Sequence, residues 1–181
     1  KWCGAGGWRL GYFIIPNQFM KLKESLKVLA SETFTSVSAP IQYAAIAAFK
    51  NDHTEYLNIS KNILKSVGNY VYENLRSNKV LISKSQGGFY LMPEFVDKRF
   101  KNSEDMCKDM LNNAGVAALP GSDFGFSEKK MYARISFTDF NGDEFMRNIP
   151  KNLKIDESLL NKFAPKIVKG TKRLKAWVES T

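Results

Sequence analysis

The sequence of 181 residues is poor in the side chains that most often build metal sites and catalytic triads. It has one histidine, His53, and two cysteines, Cys3 and Cys107, which stand far apart along the chain. Zinc sites need several such ligands at close spacing, so no metal site is predicted. Two cysteines are also too few for a disulfide framework, which favours a reduced, cytoplasmic setting. We interpret the single histidine as a polar residue in the first turn of a helix.

Long apolar runs are missing as well. The most apolar window, Ile41–Phe49, falls well short of the ~20 residues that a membrane-spanning helix needs. The first residues, Lys1–Gly7, lack the basic-then-apolar order of a signal peptide. We therefore expect no membrane partner. Because the chain does not begin with methionine and opens directly into a dense pattern of glycine and tryptophan, we expect it to be the C-terminal part of a longer protein.

Acidic residues are outnumbered, since 27 lysines and arginines against 18 aspartates and glutamates give a net charge of +9. Such an excess raises the alternative of a basic nucleic-acid-binding module. The cations are spread along the chain, however, and are dense only over Lys166–Lys175. We interpret that stretch as a solvated helix face and expect no nucleic-acid partner. A steep salt dependence of DNA or RNA binding would support the alternative.

Hydrophobic periodicity predicts an alternation of strands and helices. The predicted strands are Arg9–Ile15, Lys79–Ser83, Phe89–Met92, Val116–Leu119 and Met131–Phe137. The predicted helices are Asn17–Ala30, Pro40–Phe49, Asp52–Asn78 capped by Asp52, Glu104–Asn113 capped by Ser103, Asp143–Asn148, and Asp156–Glu179 interrupted at Pro165. A polar loop is predicted over Ser31–Pro40. This order predicts an α/β or α+β fold with a boundary near residues 50–80.

One constellation suggests chemistry. Lys1 and Arg9 lie eight residues apart, across a turn rich in glycine that includes Gly4, Gly6 and Gly7. A neutral lysine amine is a nucleophile, and an arginine can hold a phosphate by paired hydrogen bonds. A pyridoxal phosphate site requires this combination, because the amine forms a Schiff base with the aldehyde while the arginine anchors the phosphate.

The segment Lys1–Tyr12, with the sequence Lys-Trp-Cys-Gly-Ala-Gly-Gly-Trp-Arg-Leu-Gly-Tyr, resembles the Schiff-base motif of class I/II aminotransferases, the aspartate-aminotransferase-like enzymes of fold type I. Further segments resemble that family in the same order along the chain: Ala39–Ala48, Gly87–Pro93, Pro120–Gly125 and Tyr132–Phe137. The resemblance implies that Lys1 is the catalytic and cofactor-binding lysine and that Arg9 binds the cofactor phosphate. It also implies that Arg134 binds the α-carboxylate of the substrate.

The resemblance further implies the C-terminal part of a pyridoxal-phosphate-dependent transferase fold. Residues 1–50 would end the large cofactor domain, residues 51–78 would form the connecting helix, and residues 79–181 would form the small domain. The intact protein would move an amino group from an L-amino acid to a 2-keto acid, as a homodimer. The isolated chain would be inactive, because the remaining cofactor contacts of the family precede the lysine.

Several alternatives stay open at this point. A lyase, decarboxylase or synthase of the same fold could use the same three residues, and the chain could be a non-catalytic remnant. Arg134 could form a structural ion pair, and Phe89 could line the substrate pocket or belong to the core. The loop Ser31–Pro40 has no arginine or lysine, so a dicarboxylate-specific cation is not expected there.

Overall fold

The chain divides into two units, Lys1–Leu57 and Asn58–Thr181. The computed structural model describes residues 2–149 and 154–180. Lys1, the predicted cofactor lysine, therefore lies outside the described residues. No helix among the described residues is long and apolar enough to cross a bilayer.

The first unit is helical. A 3₁₀ turn, Gly6–Trp8, is followed by chain without regular structure and then by a second 3₁₀ segment, Asn17–Leu22. Helices α1 (Lys23–Thr33) and α2 (Ala39–Lys50) complete it. Pro40 stands in the first turn of α2, where its missing N–H costs no helical hydrogen bond.

The strand predicted over Arg9–Ile15 is wrong for this structure, because those residues form no ladder. Arg9 has the left-handed backbone angles φ 56° and ψ 37°, which end the preceding 3₁₀ turn and cannot continue a strand. The apolar side chains beyond it remain exposed, with Phe13 at 70% and Ile14 at 82%. A strand needs a partner for its backbone N–H and C=O groups, and no other segment among the described residues of this unit supplies one.

Helix α3 (Thr54–Leu75) begins in the first unit and continues into the second. Asp52 caps its start, as predicted, because its carboxylate accepts hydrogen bonds from the N–H and the hydroxyl of Thr54 at 2.9 and 2.6 Å. The rest of the second unit comprises β1 (Val80–Leu81), β2 (Tyr90–Leu91), β3 (Glu94–Phe95), α4 (Ser103–Asp109), β4 (Leu119–Pro120), β5 (Ala133–Ser136), α5 (Gly142–Asn148), α6 (Glu157–Phe163) and α7 (Pro165–Glu179).

The sheet that carries Arg134 is antiparallel and has the strand order β2-β5-β4. Arg134 pairs with Leu119 of β4, whereas Ser136 pairs with Tyr90 of β2. Buried residues alternate along β5, so Ala133 and Ile135 enter the core while Arg134 stays half-buried. The core continues through buried side chains of the helices: Ile63, Val67 and Val71 of α3, Met106 of α4, Phe145 of α5, and Leu174 of α7.

Several details differ from the predicted elements. The strand predicted over Val116–Leu119 is reduced to Leu119–Pro120, and the helix predicted over Glu104–Asn113 is α4 followed by a π-helical turn, Met110–Ala114. The cap of α4 is Asn102 instead of Ser103, since the Asn102 side chain accepts from the Asp105 N–H at 2.8 Å. The Ser103 side chain is turned into the core and is fully buried. Strand β3 was not predicted; it begins directly after Pro93, just beyond the strand predicted over Phe89–Met92. The predicted break at Pro165 is confirmed, and α7 starts at that proline.

Candidate active site

The first predicted site group lies in the glycine-rich turn of the first unit. Arg9 is exposed, and its Nη1 donates a hydrogen bond of 3.5 Å to the carbonyl of Gly6. No carboxylate of the described residues forms an ion pair with it. A Cβ built on Gly6 or Gly7 would have no described atom within 4 Å, so the space beside the turn is open. An exposed guanidinium next to open backbone is a suitable partner for a phosphate group.

The backbone of this turn is held in unusual conformations. Gly4 has φ 66°, and Arg9 is one of two non-glycine residues with a positive φ among the described residues. Such a conformation costs a non-glycine residue of order 1–3 kcal/mol and is often found at ligand sites. Nearby, the Trp2 ring contacts Phe49 and His53, with ring centroids 5.7 and 5.3 Å apart.

His53 lies directly before α3, which begins at Thr54, so it is one residue outside the helical turn predicted for it. Its Nε2 lies 2.9 Å from the carbonyl oxygen of Ala48, near the end of α2. The imidazole therefore bridges the end of one helix and the approach to the next, and it packs on the Trp2 ring.

The second predicted site group is Arg134, at the centre of the three-stranded sheet. Its guanidinium carbon lies 4.5 Å from the ring centroid of Tyr90 and 4.3 Å from that of Phe124. Among the described residues, no carboxylate lies within ion-pair distance of it. The structural ion pair considered from the sequence is therefore not found in the part of the chain that the structure describes. A half-buried arginine without an acidic partner among the described residues is suited to bind a carboxylate from outside the chain.

The turn that carries Phe124 depends on a close backbone approach. The segment Gly121–Phe124 forms a 3₁₀ turn directly after β4. The N–H of Gly121 donates to the carbonyl of Tyr132 at 2.8 Å, and a Cβ on Gly121 would stand only 2.5 Å from the Tyr132 Cβ. Only glycine fits this contact, so the turn is held against the strand that bears Arg134.

Sequence reasoning did not assign Tyr90 and Phe124 to the site. Both lie inside segments that carry the family resemblance, Gly87–Pro93 and Pro120–Gly125. Membership of these segments was a signal that could have placed Tyr90 and Phe124 at the site. Phe89, which was considered for the substrate pocket, packs against Tyr90 with ring centroids 4.5 Å apart and also contacts the core.

The basic stretch near the C-terminus is a helix face on which several cations have acidic neighbours. Ion pairs join Lys166 to Asp139 at 3.1 Å, Lys172 to Glu157 at 3.4 Å, and Lys175 to Glu179 at 3.9 Å. These pairs reduce the positive potential of α7. The absence of a nucleic-acid partner stays a prediction.

Known proteins match this chain along most of its length. The family "Aminotransferase class I and II" matches residues 1–149. An aspartate aminotransferase of Sulfolobus acidocaldarius is 28% identical over 135 residues, which cover 72% of this chain and 32% of that protein. A probable N-acetyl-LL-diaminopimelate aminotransferase of Bacillus subtilis is 33% identical over 132 residues, again 72% of this chain and 32% of the relative.

The fold agrees with this assignment. A solved alanine aminotransferase from Pyrococcus furiosus superimposes with a TM-score of 0.70 at 26% identity, covering 98% of this chain and 39% of that one. The chain spans about a third of the length of the curated relatives it matches. The predicted α/β pyridoxal-phosphate-transferase fold is thereby confirmed, and the chain belongs to the class I and II aminotransferases.

Proposed function

We propose that this chain supplies the lysine, the phosphate-binding arginine and the carboxylate-binding arginine of an enzyme that moves an amino group from an L-amino acid to a 2-keto acid. One observation carries the proposal. Arg134 is half-buried between two aromatic rings and has no carboxylate partner among the described residues. The planar guanidinium of an arginine can donate two parallel hydrogen bonds to the two oxygens of a carboxylate. Both substrates of such a reaction carry a carboxylate.

The residues of the first unit fit the cofactor that the family implies. Arg9 presents its guanidinium beside open space and would hold the phosphate of pyridoxal phosphate. When bound, this cofactor supplies an aldehyde for the lysine and a ring that withdraws electrons from the substrate α-carbon. The Lys1 ε-amine would hold the aldehyde carbon and, once released, take the proton from the substrate α-carbon. Arg134 would orient that carbon by holding the α-carboxylate.

The burial pattern supports the proposed division into domains. Among the described residues of the first unit none is buried, although many are large and apolar. Side chains of this kind are normally covered by further polypeptide. We propose that residues 1–50 are the end of a large cofactor domain and that residues 79–181 form the small domain. Residues 51–78 would form the helix that connects these two domains. Since the chain spans about a third of its relatives' length, we propose that it is inactive alone.

The proposal extends to assembly and location. We propose a homodimer, because such assembly is usual in the family, and a cytoplasmic location, with which two cysteines that form no disulfide agree. The mass of the intact protein in solution tests the first, and cell fractionation tests the second.

Reduction with borohydride in the presence of pyridoxal phosphate tests the cofactor lysine. We expect mass spectrometry of the intact protein to find a pyridoxyl group on Lys1, and a Lys1→Arg variant to lack it. A pyridoxyl group found elsewhere, or on none of the lysines, would contradict the assignment.

Product analysis separates the reaction classes. The intact protein, given an amino acid and 2-oxoglutarate, should form glutamate, whereas ammonia or carbon dioxide would indicate a lyase or a decarboxylase. The isolated 181-residue chain should form no glutamate. Measurable transamination by that chain would overturn its proposed inactivity.

A further inference from the structure

The second unit contains two arginines whose guanidinium groups lie over pairs of aromatic rings. The Arg99 guanidinium carbon lies 5.0 Å from the Phe100 ring centroid and 4.9 Å from that of Trp177. Arg134 lies 4.5 and 4.3 Å from the ring centroids of Tyr90 and Phe124. The two sites thus share one design, in which aromatic rings cover a cation.

The two sites differ in the acidic hydrogen-bond partner of the guanidinium. Arg99 Nε donates to both oxygens of the Asp97 carboxylate at 3.1 and 3.0 Å, and its Nη2 donates to Oδ2 at 2.7 Å. That carboxylate is only 9% exposed. Arg134 has no such acid among the described residues. The Arg99 site therefore shows, within this chain, how a ring-covered arginine holds a carboxylate, and the Arg134 site repeats that arrangement without an internal acid.

The sheet topology brings one ring to Arg134 from strand β2 and the other from the turn that follows strand β4. Tyr90 lies on β2, which pairs with β5 on one side. Phe124 ends the 3₁₀ turn that follows β4, which pairs with β5 on the other side. The two rings thus belong to separate segments that only the sheet brings together.

Ring contacts over a guanidinium restrict its orientation without occupying its donors. A cation is attracted to the face of an aromatic ring, while the N–H groups of arginine point outward in the guanidinium plane. Arginine otherwise loses considerable rotamer freedom when it binds a ligand. A side chain that is already held in place avoids part of that loss, so it binds the carboxylate more tightly.

We propose that Tyr90 and Phe124 are positioning residues that hold the Arg134 guanidinium with its donor edge open for the carboxylate of the substrate. This inference rests on the proposed function, in which Arg134 binds that carboxylate. Neither ring touches the reacting atoms in this scheme, and each acts through Arg134.

The chain offers a matched pair of variants for a spectroscopic test. Phe124 and Phe126 belong to the same turn region and are almost equally exposed, at 38% and 39%. Phe126, however, packs on Tyr132, with ring centroids 4.3 Å apart. Phe124→Leu therefore removes a ring that contacts Arg134, whereas Phe126→Leu removes a ring of the same size and almost the same exposure that contacts Tyr132.

The readout is the arginine Nε–Hε spectrum of the ¹⁵N-labelled intact protein. The ring currents should shift the Arg134 Hε signal upfield, and Phe124→Leu should reduce that shift while Phe126→Leu leaves it in place. Phe124→Tyr should restore it, and Arg99 serves as a reference signal in every variant. Equal spectra for Phe124→Leu and Phe126→Leu would overturn the positioning role, as would an unshifted Arg134 signal in the unsubstituted protein.

A titration with pyruvate, a 2-keto acid with a single carboxylate, separates this inference from the proposed function. We expect pyruvate to shift the Arg134 signal, and Phe124→Leu to weaken its binding by about two- to fivefold, the loss typical of one exposed cation–π contact. If the intact protein does not bind pyruvate, or its Arg134→Lys variant binds pyruvate as well as the unsubstituted protein does, the carboxylate-binding role of Arg134 is wrong. If Arg134→Lys loses binding while Phe124→Leu retains full affinity, only the positioning role is wrong.

Discussion

The close contact between Gly121 and Tyr132 makes a sharp prediction about the turn next to Arg134. In Gly121→Ala the added Cβ would stand 2.5 Å from the Tyr132 Cβ and 3.2 Å from the Tyr132 carbonyl oxygen. Carbon atoms in contact normally stand ~3.5–4.0 Å apart. Rotation of the Tyr132 side chain does not relieve the overlap, because its Cβ is bonded to the backbone. The turn must therefore move away from the strand, against the 2.8 Å hydrogen bond from the Gly121 N–H to the Tyr132 carbonyl.

The expected loss in the free energy of unfolding follows from the steric overlap and from the weakened hydrogen bond. Overpacking of this kind costs about 1–3 kcal/mol, and loss of one backbone hydrogen bond adds about 0.5–1.5 kcal/mol. Gly121→Ala should therefore lower the free energy of unfolding by about 1.5–4.5 kcal/mol. The measurement is a urea titration with linear extrapolation, followed by the fluorescence of Trp177. Trp177 is buried, at 6% exposure, whereas Trp2 and Trp8 are already exposed and should change little on unfolding.

The control for this experiment is Gly142→Ala at the start of α5. A Cβ on Gly142 would have no described atom within 4 Å, so this change should alter the free energy of unfolding by no more than about 0.5 kcal/mol. If Gly121→Ala and Gly142→Ala unfold at the same urea concentration, the turn does not approach the strand as closely as described here. The conclusion that this turn holds Phe124 against the strand of Arg134 would then be wrong as well.

Two further comparisons use pairs of like residues in this chain. Gly68 and Gly170 both lie inside helices, where alanine is favoured by about 0.5–1 kcal/mol. Gly170→Ala should raise the free energy of unfolding, because the added Cβ meets only a methyl carbon, at 3.9 Å. Gly68→Ala should lower the free energy of unfolding, because the added Cβ would stand 2.9 Å from the buried ring of Phe137. Urea titration checks both, and equal shifts of the same sign would contradict the packing described. Burial raises the pKa of the Cys107 thiol to about 11, so at about pH 8 iodoacetamide should alkylate exposed Cys3 while sparing Cys107 until the chain unfolds. Equal labelling of both thiols in the folded chain would refute this.

The helices of the second unit were well predicted because their signals are local. Apolar residues three and four positions apart define the buried face of α3, and Asp52 provides its cap within two residues of its start. The break between α6 and α7 follows from Pro165 alone, since proline cannot continue a helix from the preceding turn. These features depend on neighbours in sequence.

The strand predicted over Arg9–Ile15 and the cap predicted at Ser103 show the opposite case. An apolar run becomes a strand only when another segment pairs with its backbone, and no local pattern reveals whether that partner is present. Asn102 and Ser103 are both good capping residues, and only the packing of the Ser103 side chain into the core decides between them.

The sequence by itself determined the α/β character of this chain, the order of its motifs along the family pattern, and Arg9 and Arg134 as the cations to examine. Each of these depends on residues that are close in sequence or on a spacing that can be counted. Only the tertiary structure brought Tyr90 and Phe124 to Arg134, because they lie on segments 34 residues apart that the β2-β5-β4 sheet places on either side of one strand. Only it distinguished Arg134 from Arg99, since the presence or absence of an acid at the edge of a guanidinium is a property of the folded chain.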